Sequence, residues 1–238
     1  MPRLHTTPAK SLGPPSTETL YQFRAGHYDW ELQPFEPLRR LAVEHLNLRA
    51  GLTVLDLGCG TGLSLPLLRE AVGPTGRIIG IEQCPAMLAH ARQRVADQGW
   101  RNIDLMSTPV AQADLAPDLR ADAALFHFTH DILQDPEALR HLSHHLRPGA
   151  TLVATGLRWA PPWAWATNMW VMAAAFYSVA SLQGLDCPWQ LLQAQVDDLQ
   201  IEHHLSDAVY LAWGTLNIHP QPAPRQIGRT GRTENPAA

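Results

Sequence analysis

The sequence predicts an α/β fold with a doubly wound, mostly parallel sheet and an antiparallel pair of strands at one edge. Short apolar runs alternate with longer stretches of helical periodicity, which is the order that βαβ units require. Glycines follow the first apolar run, where such sheets turn sharply into a helix. The predicted parallel strands are 54–57, 77–81, 102–106, 121–128 and 151–155, and the predicted antiparallel pair is 199–204 with 208–216.

Helical periodicity places helices between these strands, and composition sets the outer limits of the domain. The predicted helices are 36–46, 63–71, 85–98, 137–146, 163–182 and 189–199. Residues 1–17 are polar and proline-rich, so we expect them to be disordered. Residues 217–238 have no apolar period and are expected to form a flexible tail. The sequence therefore predicts one domain over residues 18–216.

Composition and charge narrow the classes of function. The chain has 238 residues, 45% of them hydrophobic, which suits a globular α/β domain with a sizeable core. The formal net charge is -4, without the excess of basic residues that is typical of nucleic-acid-binding proteins, so no nucleic-acid partner is expected. The three cysteines show neither metal spacing nor a disulfide framework, and no metal site is predicted. The amino terminus lacks the apolar run of a secretory signal, so we expect a cytoplasmic protein.

The stretch 53–64, TVLDLGCGTGLS, is the most informative part of the chain. Asp56 interrupts a buried strand, where a carboxylate is costly unless it is paired or faces a ligand. Gly58, Gly60 and Gly62 follow at alternate positions and allow a ligand to approach the backbone closely. This D-x-G-x-G-x-G spacing differs from the G-x-G-x-x-G fingerprint of dinucleotide-binding folds, which disfavours an NAD-dependent oxidoreductase.

The same stretch resembles the first motif of the class I S-adenosylmethionine-dependent methyltransferases. The resemblance extends over residues 50–156 and includes LRPGATLVATG at the fifth strand. It implies a Rossmann-like, seven-stranded sheet with S-adenosylmethionine as the cofactor. The glycine turn, with Asp56, Gly58, Cys59 and Gly60, would then hold the methionine part of that cofactor.

Glu82 is the acidic residue expected to bind the ribose of the cofactor. It ends the second strand about 20 residues after the glycine turn, the place at which such folds accept hydrogen bonds from the two ribose hydroxyls. Gln83 follows it in the same turn, and Met87 resembles the family residue that packs near the adenine or ribose. A solvated acid at a strand end is the alternative for Glu82.

The adenine is expected to lie against the residues after the third strand. Thr108, Pro109 and Val110 occupy this place, and Phe126 near the end of the fourth strand is assigned to the same cofactor site. The family commonly has an aspartate where this chain has Pro109. The adenine would therefore be held by a hydroxyl of Ser107 or Thr108, or by the backbone near Val110.

Three residues are candidates for a catalytic role. His127 and His130 lie at the end of the fourth strand, which faces the transferable methyl group in the family, and His130 could act as a general base. The alternative for His130 is a hydrogen bond to loop backbone. Tyr28 belongs to an aromatic segment, 18–30, that resembles a family segment lying over the cofactor; packing of that segment onto the domain is an equal alternative. His141, His144 and His145 are interpreted as a solvated helix face.

Residues 159–185 contain no aspartate, glutamate, lysine or arginine and are rich in tryptophan. In the family, the segment after the fifth strand commonly covers the acceptor, so residues 159–198 are predicted to form a helical lid. A plain buried helix and a contact with a membrane interface are the alternatives.

These patterns together predict methyl transfer from S-adenosylmethionine to an oxygen, nitrogen or sulfur atom of a small, fairly apolar acceptor by in-line displacement. Two alternatives stay open: a methyltransferase of lipid head groups at a membrane surface, and a non-catalytic regulatory protein that binds the cofactor. The sequence leaves the oligomeric state open.

Overall fold

The computed structural model describes residues 32–178 and 181–217. Within them seven strands form one sheet: β1 (Thr53–Leu57), β2 (Arg77–Glu82), β3 (Ile103–Ser107), β4 (Ala121–His127), β5 (Leu146–Leu157), β6 (Val196–His204) and β7 (Val209–Leu216). The spatial order is β3-β2-β1-β4-β5-β7-β6. The first five strands are parallel, while β7 runs antiparallel to both β5 and β6. The predicted fold class is confirmed. Tyr28, the segments 1–17 and 18–30, and residues 218–238 lie outside the described residues.

Seven α-helices occur in the described ranges: α1 (Glu36–His45), α2 (Leu65–Val72), α3 (Pro85–Asp97), α4 (His130–Leu133), α5 (Pro136–Ser143), α6 (Trp165–Ser178) and α7 (Gln190–Gln193). Short 3-10 turns cover Gln33–Phe35 and Val110–Gln112. Pro66 lies in the first turn of α2, where its missing amide hydrogen has no intrahelical partner to lose. The short α4 has no counterpart among the predicted helices.

The residues of each central strand alternate between two packed layers. Leu55 and Leu57 of β1 lie in one hydrophobic cluster with Phe126 of β4. Val54 lies in the other cluster, together with Leu125 of β4 and apolar residues of α1, α2 and α3. Because side chains along a strand point to opposite faces in turn, Asp56 shares the face of Val54 and His127 shares the face of Leu125. Both polar side chains therefore lie on the side of the sheet that α1 covers.

The strand order changes direction between β1 and β4. β1 pairs with β2 on one side, where Leu57 is opposite Ile81, and with β4 on the other, where Leu57 is opposite Phe126. The connections leaving these strands diverge at their carboxyl ends and leave a crevice. This is the place in a doubly wound sheet where ligands bind, and it is where the predicted site residues converge.

The structure corrects the predicted helix 189–199. Only Gln190–Gln193 is helical, and β6 begins at Val196, so the helical part of the predicted lid 159–198 ends before that residue. The pairing of β6 with β7 shifts register between Asp197 and Gln200, and Asp198 has a φ of 52°. This bulge breaks the alternation of side chains at the beginning of β6, so the sequence predicted only the later part of the strand, 199–204. β5 also begins earlier than predicted, at Leu146.

Helix α6 is shorter than the predicted 163–182 and lies across one end of the sheet. It packs through Val171 and Ala175 into a small cluster with Leu38, Leu157 and Val209. Trp165, Met169 and Phe176 on its outer side are exposed. Within the described ranges, no helix combines the length and the apolar character needed to cross a bilayer.

Candidate active site

A cleft of about 650 Å³, including its open mouth, lies at the carboxyl ends of β1, β2 and β4. Ten residues predicted for the cofactor or for catalysis line it: Gly58, Gly60, Glu82, Gln83, Met87, Thr108, Pro109, Val110, His127 and His130. The remaining walls come from Ile81 and from Phe128, Thr129, Asp131 and Ile132, which follow β4.

The glycine turn after β1 forms the floor of the cleft. Gly58 has a φ of 69°, and a Cβ at this position would overlap the side chain of Thr129. The amides of Gly58 and Cys59 both donate to the carbonyl oxygen of Ile81, at 2.8 and 3.1 Å, which ties the turn to β2. The absence of a side chain at Gly58 therefore lets the start of α4 approach the turn and keeps the floor open.

Glu82 joins the turns that follow β1 and β2. Its Oε2 accepts from the amide of Gly60 at 3.1 Å, and its Oε1 accepts from the amide of Cys84 at 2.7 Å. Burial raises the pKa of Glu82, and the amides of Cys84, Gly60 and Gln83 act in the opposite direction. Since a carboxylate offers about four acceptor positions, these amides leave acceptor capacity on Glu82 for a ligand in the cleft.

A second, smaller cavity shares Gly58, Gly60 and His127 with the cleft. Arg39 of α1 reaches it and is only 3% exposed. The Nε of Arg39 donates to Glu36 at 3.1 Å and an Nη1 hydrogen to the hydroxyl of Ser64 at 3.4 Å. The Nη2 of Arg39 and the Oδ2 of Asp56 are buried and have no hydrogen-bond partner among the described residues. Two unpaired polar atoms of opposite charge thus line one cavity.

Burial controls the protonation of this cluster. It raises the pKa of Asp56 to about 7, although the Arg39 guanidinium acts to lower it and Glu82 adds to the rise. Burial, together with Arg39, holds the pKa of His127 well below its usual range. His127 is therefore neutral at physiological pH, and neither of its ring nitrogens has a partner among the described residues.

His130 begins α4 and lines the cleft. Its Nε2 lies 2.7 Å from the backbone carbonyl oxygen of Gln183, in the segment that follows α6. Its Nδ1 is buried without a hydrogen-bond partner in the described part of the chain. The hydrogen bond to loop backbone that the sequence offered as the alternative is thus present, and it leaves one ring nitrogen for another role.

An aromatic chain connects the cleft with α6. Phe128, which lines the cleft, has a φ of 57°, an uncommon conformation for a bulky residue. Its ring lies 4.9 Å from that of Phe35, and the ring of Phe35 lies 6.2 Å from that of Trp170 on α6. Phe128 therefore forms an aromatic wall of the cleft, which Phe35 and Trp170 support from behind.

Not every predicted site residue lies in the cleft. Asp56 and Cys59 line the second cavity instead. Phe126 is fully buried in the hydrophobic cluster on the opposite face of the sheet, and it lines neither cavity. The alternation of side chains along β4 explains this, because only one of Phe126 and His127 can face α1.

Sequence reasoning missed Arg39. The sequence contains one indication of its burial: Arg39 falls at helical spacing with Leu38, Ala42 and Val43, which form the buried side of α1. It also misplaced the histidine triplet: α5 ends at Ser143, His141 bonds the carbonyl oxygen of Ala113 at 2.9 Å, and His145 is buried. In the described residues, no group of three or more histidine, cysteine or acidic side chains is arranged to hold a metal ion.

The chain resembles known methyltransferases over its central part. Residues 54–149 match the methyltransferase domain family. The 2-phytyl-1,4-naphtoquinone methyltransferase of Thermosynechococcus vestitus is 33% identical over 111 residues, which are 47% of this chain and 48% of that protein. The trans-aconitate 2-methyltransferase of an Azoarcus species is 39% identical over 101 residues, 42% of this chain and 37% of that protein. The chain thus spans about half or less of the length of these curated relatives.

Solved structures share the fold. The N-methyltransferase NodS of Bradyrhizobium japonicum, in complex with S-adenosyl-L-homocysteine, superposes with a TM-score of 0.62 at 19% identity and covers 85% of this chain and 99% of its own. A SAM-dependent methyltransferase of Aquifex aeolicus gives a TM-score of 0.56 at 21% identity, covering 75% and 89%. The domain match, the relatives and the strand order agree: the central part of the chain, residues 54–149, resembles S-adenosylmethionine-dependent methyltransferases in sequence and fold.

Proposed function

We propose that this protein transfers the methyl group of S-adenosylmethionine to an oxygen, nitrogen or sulfur atom of a small, fairly apolar acceptor. The observation that carries the proposal is the pair of unpaired buried atoms, Arg39 Nη2 and Asp56 Oδ2, beside the glycine turn. Buried charged groups are costly unless they are paired. An α-amino acid carries one carboxylate and one ammonium, so the methionine end of the cofactor would satisfy both.

Each part of the cofactor has residues suited to hold it. Arg39 would bind the carboxylate of the methionine end and Asp56 would bind its ammonium. The backbone of Gly58 and Gly60 would lie beneath this end of the cofactor. The remaining acceptor positions of Glu82 would receive the two ribose hydroxyls.

The adenine would lie between Met87 and the 3-10 turn that begins at Val110. The hydroxyl of Thr108 donates to the carbonyl oxygen of Pro109 at 3.3 Å, so toward the adenine it offers an acceptor only. Backbone groups of this turn, rather than the missing aspartate, would then hold the adenine amine.

When bound, S-adenosylmethionine supplies a methyl group that its sulfonium has already activated. The chain must therefore place the acceptor, exclude water and accept a proton. Orientation alone contributes on the order of 7–11 kcal/mol to lowering such barriers. Phe128, supported by Phe35 and Trp170, offers an uncharged surface that favours apolar acceptors. His130 would take the proton as a general base, which contributes a factor of roughly 10² to 10⁴.

The relatives support a small-molecule acceptor, because their printed names refer to a naphthoquinone and to trans-aconitate. We place the reaction in the cytoplasm, which accords with three cysteines that are all free thiols.

The test is methyl transfer from radiolabelled S-adenosylmethionine to a panel of acceptors. The panel holds a hydroquinone, an aromatic amine, an aromatic thiol, an aliphatic dicarboxylate and vesicles of phosphatidylethanolamine. We expect turnover of an uncharged aromatic member. Turnover of the dicarboxylate alone would contradict the apolar acceptor, and turnover of the vesicles alone would favour the lipid alternative. Binding of S-adenosylhomocysteine without any turnover would favour the regulatory alternative.

A further inference from the structure

We propose that Gln134 is a positioning residue that holds His130 in the tautomer whose Nδ1 accepts the proton of the methyl acceptor. Gln134 acts through the segment 183–188, which follows the lid helix α6. The inference rests on the proposed function and assigns a role to a residue outside the cleft.

The contact with Gln183 determines which ring nitrogen of His130 carries the proton. A backbone carbonyl oxygen can only accept, so the 2.7 Å contact with Gln183 requires the hydrogen to be on Nε2. A neutral imidazole carries one such hydrogen, and therefore Nδ1 keeps its lone pair. Nδ1 has no partner among the described residues, and His130 lines the cleft. The contact with Gln183 thus selects the tautomer in which Nδ1 can act as a base.

The side chain of Gln134 holds the backbone carbonyl of Gln183 in place. The Nε2 of Gln134 donates to the carbonyl oxygen of Pro188 at 3.0 Å. The same side-chain amide packs on Gly184, which has a φ of 79° and where a Cβ would overlap it. Gln134 therefore contacts the segment at Gly184, directly after Gln183, and hydrogen-bonds to it again at Pro188.

His130 and Gln134 form a rigid pair because they lie in the same short helical turn. Gln134 is the C-cap of α4, and its backbone amide donates to the carbonyl oxygen of His130 at 3.0 Å, so both residues belong to one helical turn. A helix of four residues has little stability of its own. Its two side-chain bonds to the segment 183–188 are then a main source of its fixed position relative to the lid.

Methyl transfer to a protonated acceptor releases one proton, which His130 takes up. The proton leaves the acceptor oxygen, nitrogen or sulfur and bonds to Nδ1, while the electron pair of the broken bond stays on the acceptor atom. The imidazolium later returns the proton to water. If the contact with Gln183 is lost, both tautomers are populated, and in one of them the lone pair is on the wrong nitrogen.

The experiment compares Gln134→Met with Gln190→Met, which changes an exposed glutamine at the start of α7. Nitrogen-15 NMR of labelled histidines reports the tautomer of His130, whose signals are assigned with His130→Gln. We expect one Nε2–H tautomer in the wild type and in Gln190→Met, and a mixture in Gln134→Met. With an accepted panel member, kcat of Gln134→Met should fall about tenfold, while the Kd of S-adenosylhomocysteine stays within about twofold.

An unchanged tautomer in a folded Gln134→Met protein would overturn the inference. If that variant does not fold, Gln134→Glu decides the question, because it keeps the shape and lacks the donor. If the wild type methylates nothing, the proposed function is contradicted while the NMR comparison still supports or refutes the role of Gln134.

Discussion

At the scale of single residues, Glu82 combines two tasks. It holds the amides of Gly60 and Cys84, and it keeps acceptor positions open toward the cleft. A purely structural acid would leave cofactor affinity unchanged when its charge is removed without a change of shape. If the acid also binds the ribose, removal of its charge lowers the affinity for the cofactor.

We predict that Glu82→Gln weakens binding of S-adenosylhomocysteine by about 10- to 100-fold, because one oxygen that accepts is replaced by a group that donates. Glu70→Gln, on the exposed side of α2, is the matched control. Calorimetry on both variants provides the measurement. Equal affinities of the two variants would exclude Glu82 from the binding site.

Asp56 predicts a specific dependence of stability on pH. Its pKa is about 7 in the folded protein against an ordinary value of 3.8, so between these values the native state holds a proton that the unfolded chain has released. The carboxyl therefore lowers stability as pH rises through this window. Relative to the wild type, the free energy of unfolding of Asp56→Asn should rise by on the order of 2–4 kcal/mol from pH 4 to pH 8. Urea titrations at each pH measure the difference, and a constant difference would refute this account of Asp56.

The sequence predicted correctly which residues of the strand-end turns lie together at the cleft. Gly58, Gly60 and Glu82 belong to turns at strand ends, and their spacing along the chain is enough to bring them together. Arg39 reaches the site from a helix that packs across the sheet, and only tertiary packing reveals it. Phe126 was misplaced because its face depends on the exact phase of β4, which a run of apolar residues leaves undetermined.

At the scale of elements, α6 is apolar on both its inner and its outer side. Val171 and Ala175 are buried, while Trp165, Met169 and Phe176 are exposed. Without the alternation of polar and apolar residues that marks an amphipathic helix, the sequence could predict the helix but not which side packs on the domain. The bulge at Asp198 likewise concealed the beginning of β6, residues 196–198, which the sequence assigned to a helix, whereas the rest of the strand was predicted as 199–204.

Trp170 connects α6 to the cleft through Phe35 and Phe128. We predict that Trp170→Ala raises KM for an apolar acceptor by about three- to tenfold, since the aromatic wall loses its support. The Kd of S-adenosylhomocysteine should stay within about twofold, because the cofactor residues are on other elements. Trp163→Ala, at a side chain that is 79% exposed, is the control for steady-state kinetics. Equal effects of the two variants would refute the connection.

At the scale of the whole molecule, the central strands β1 and β4 support both the core and the site. Leu125 is fully buried in β4 two residues before His127, so packing and site geometry depend on one strand. Leu125→Ala should lower the free energy of unfolding by about 2–5 kcal/mol. Leu205→Ala, at a side chain that is 53% exposed, should change it by less than about 0.5 kcal/mol. Chemical denaturation compares the two, and similar losses would contradict the assignment of the core.

The central claim is that a cofactor with an amino-acid end and a ribose fills the two neighbouring cavities at the change of strand order, which share Gly58, Gly60 and His127. Calorimetric titration of S-adenosylhomocysteine into the full chain tests it most directly. We predict saturable one-to-one binding that weakens by at least about tenfold in Arg39→Met, where the buried cation is lost. Absence of any heat with S-adenosylhomocysteine and with S-adenosylmethionine, in a protein whose circular dichroism shows the folded state, would contradict the account.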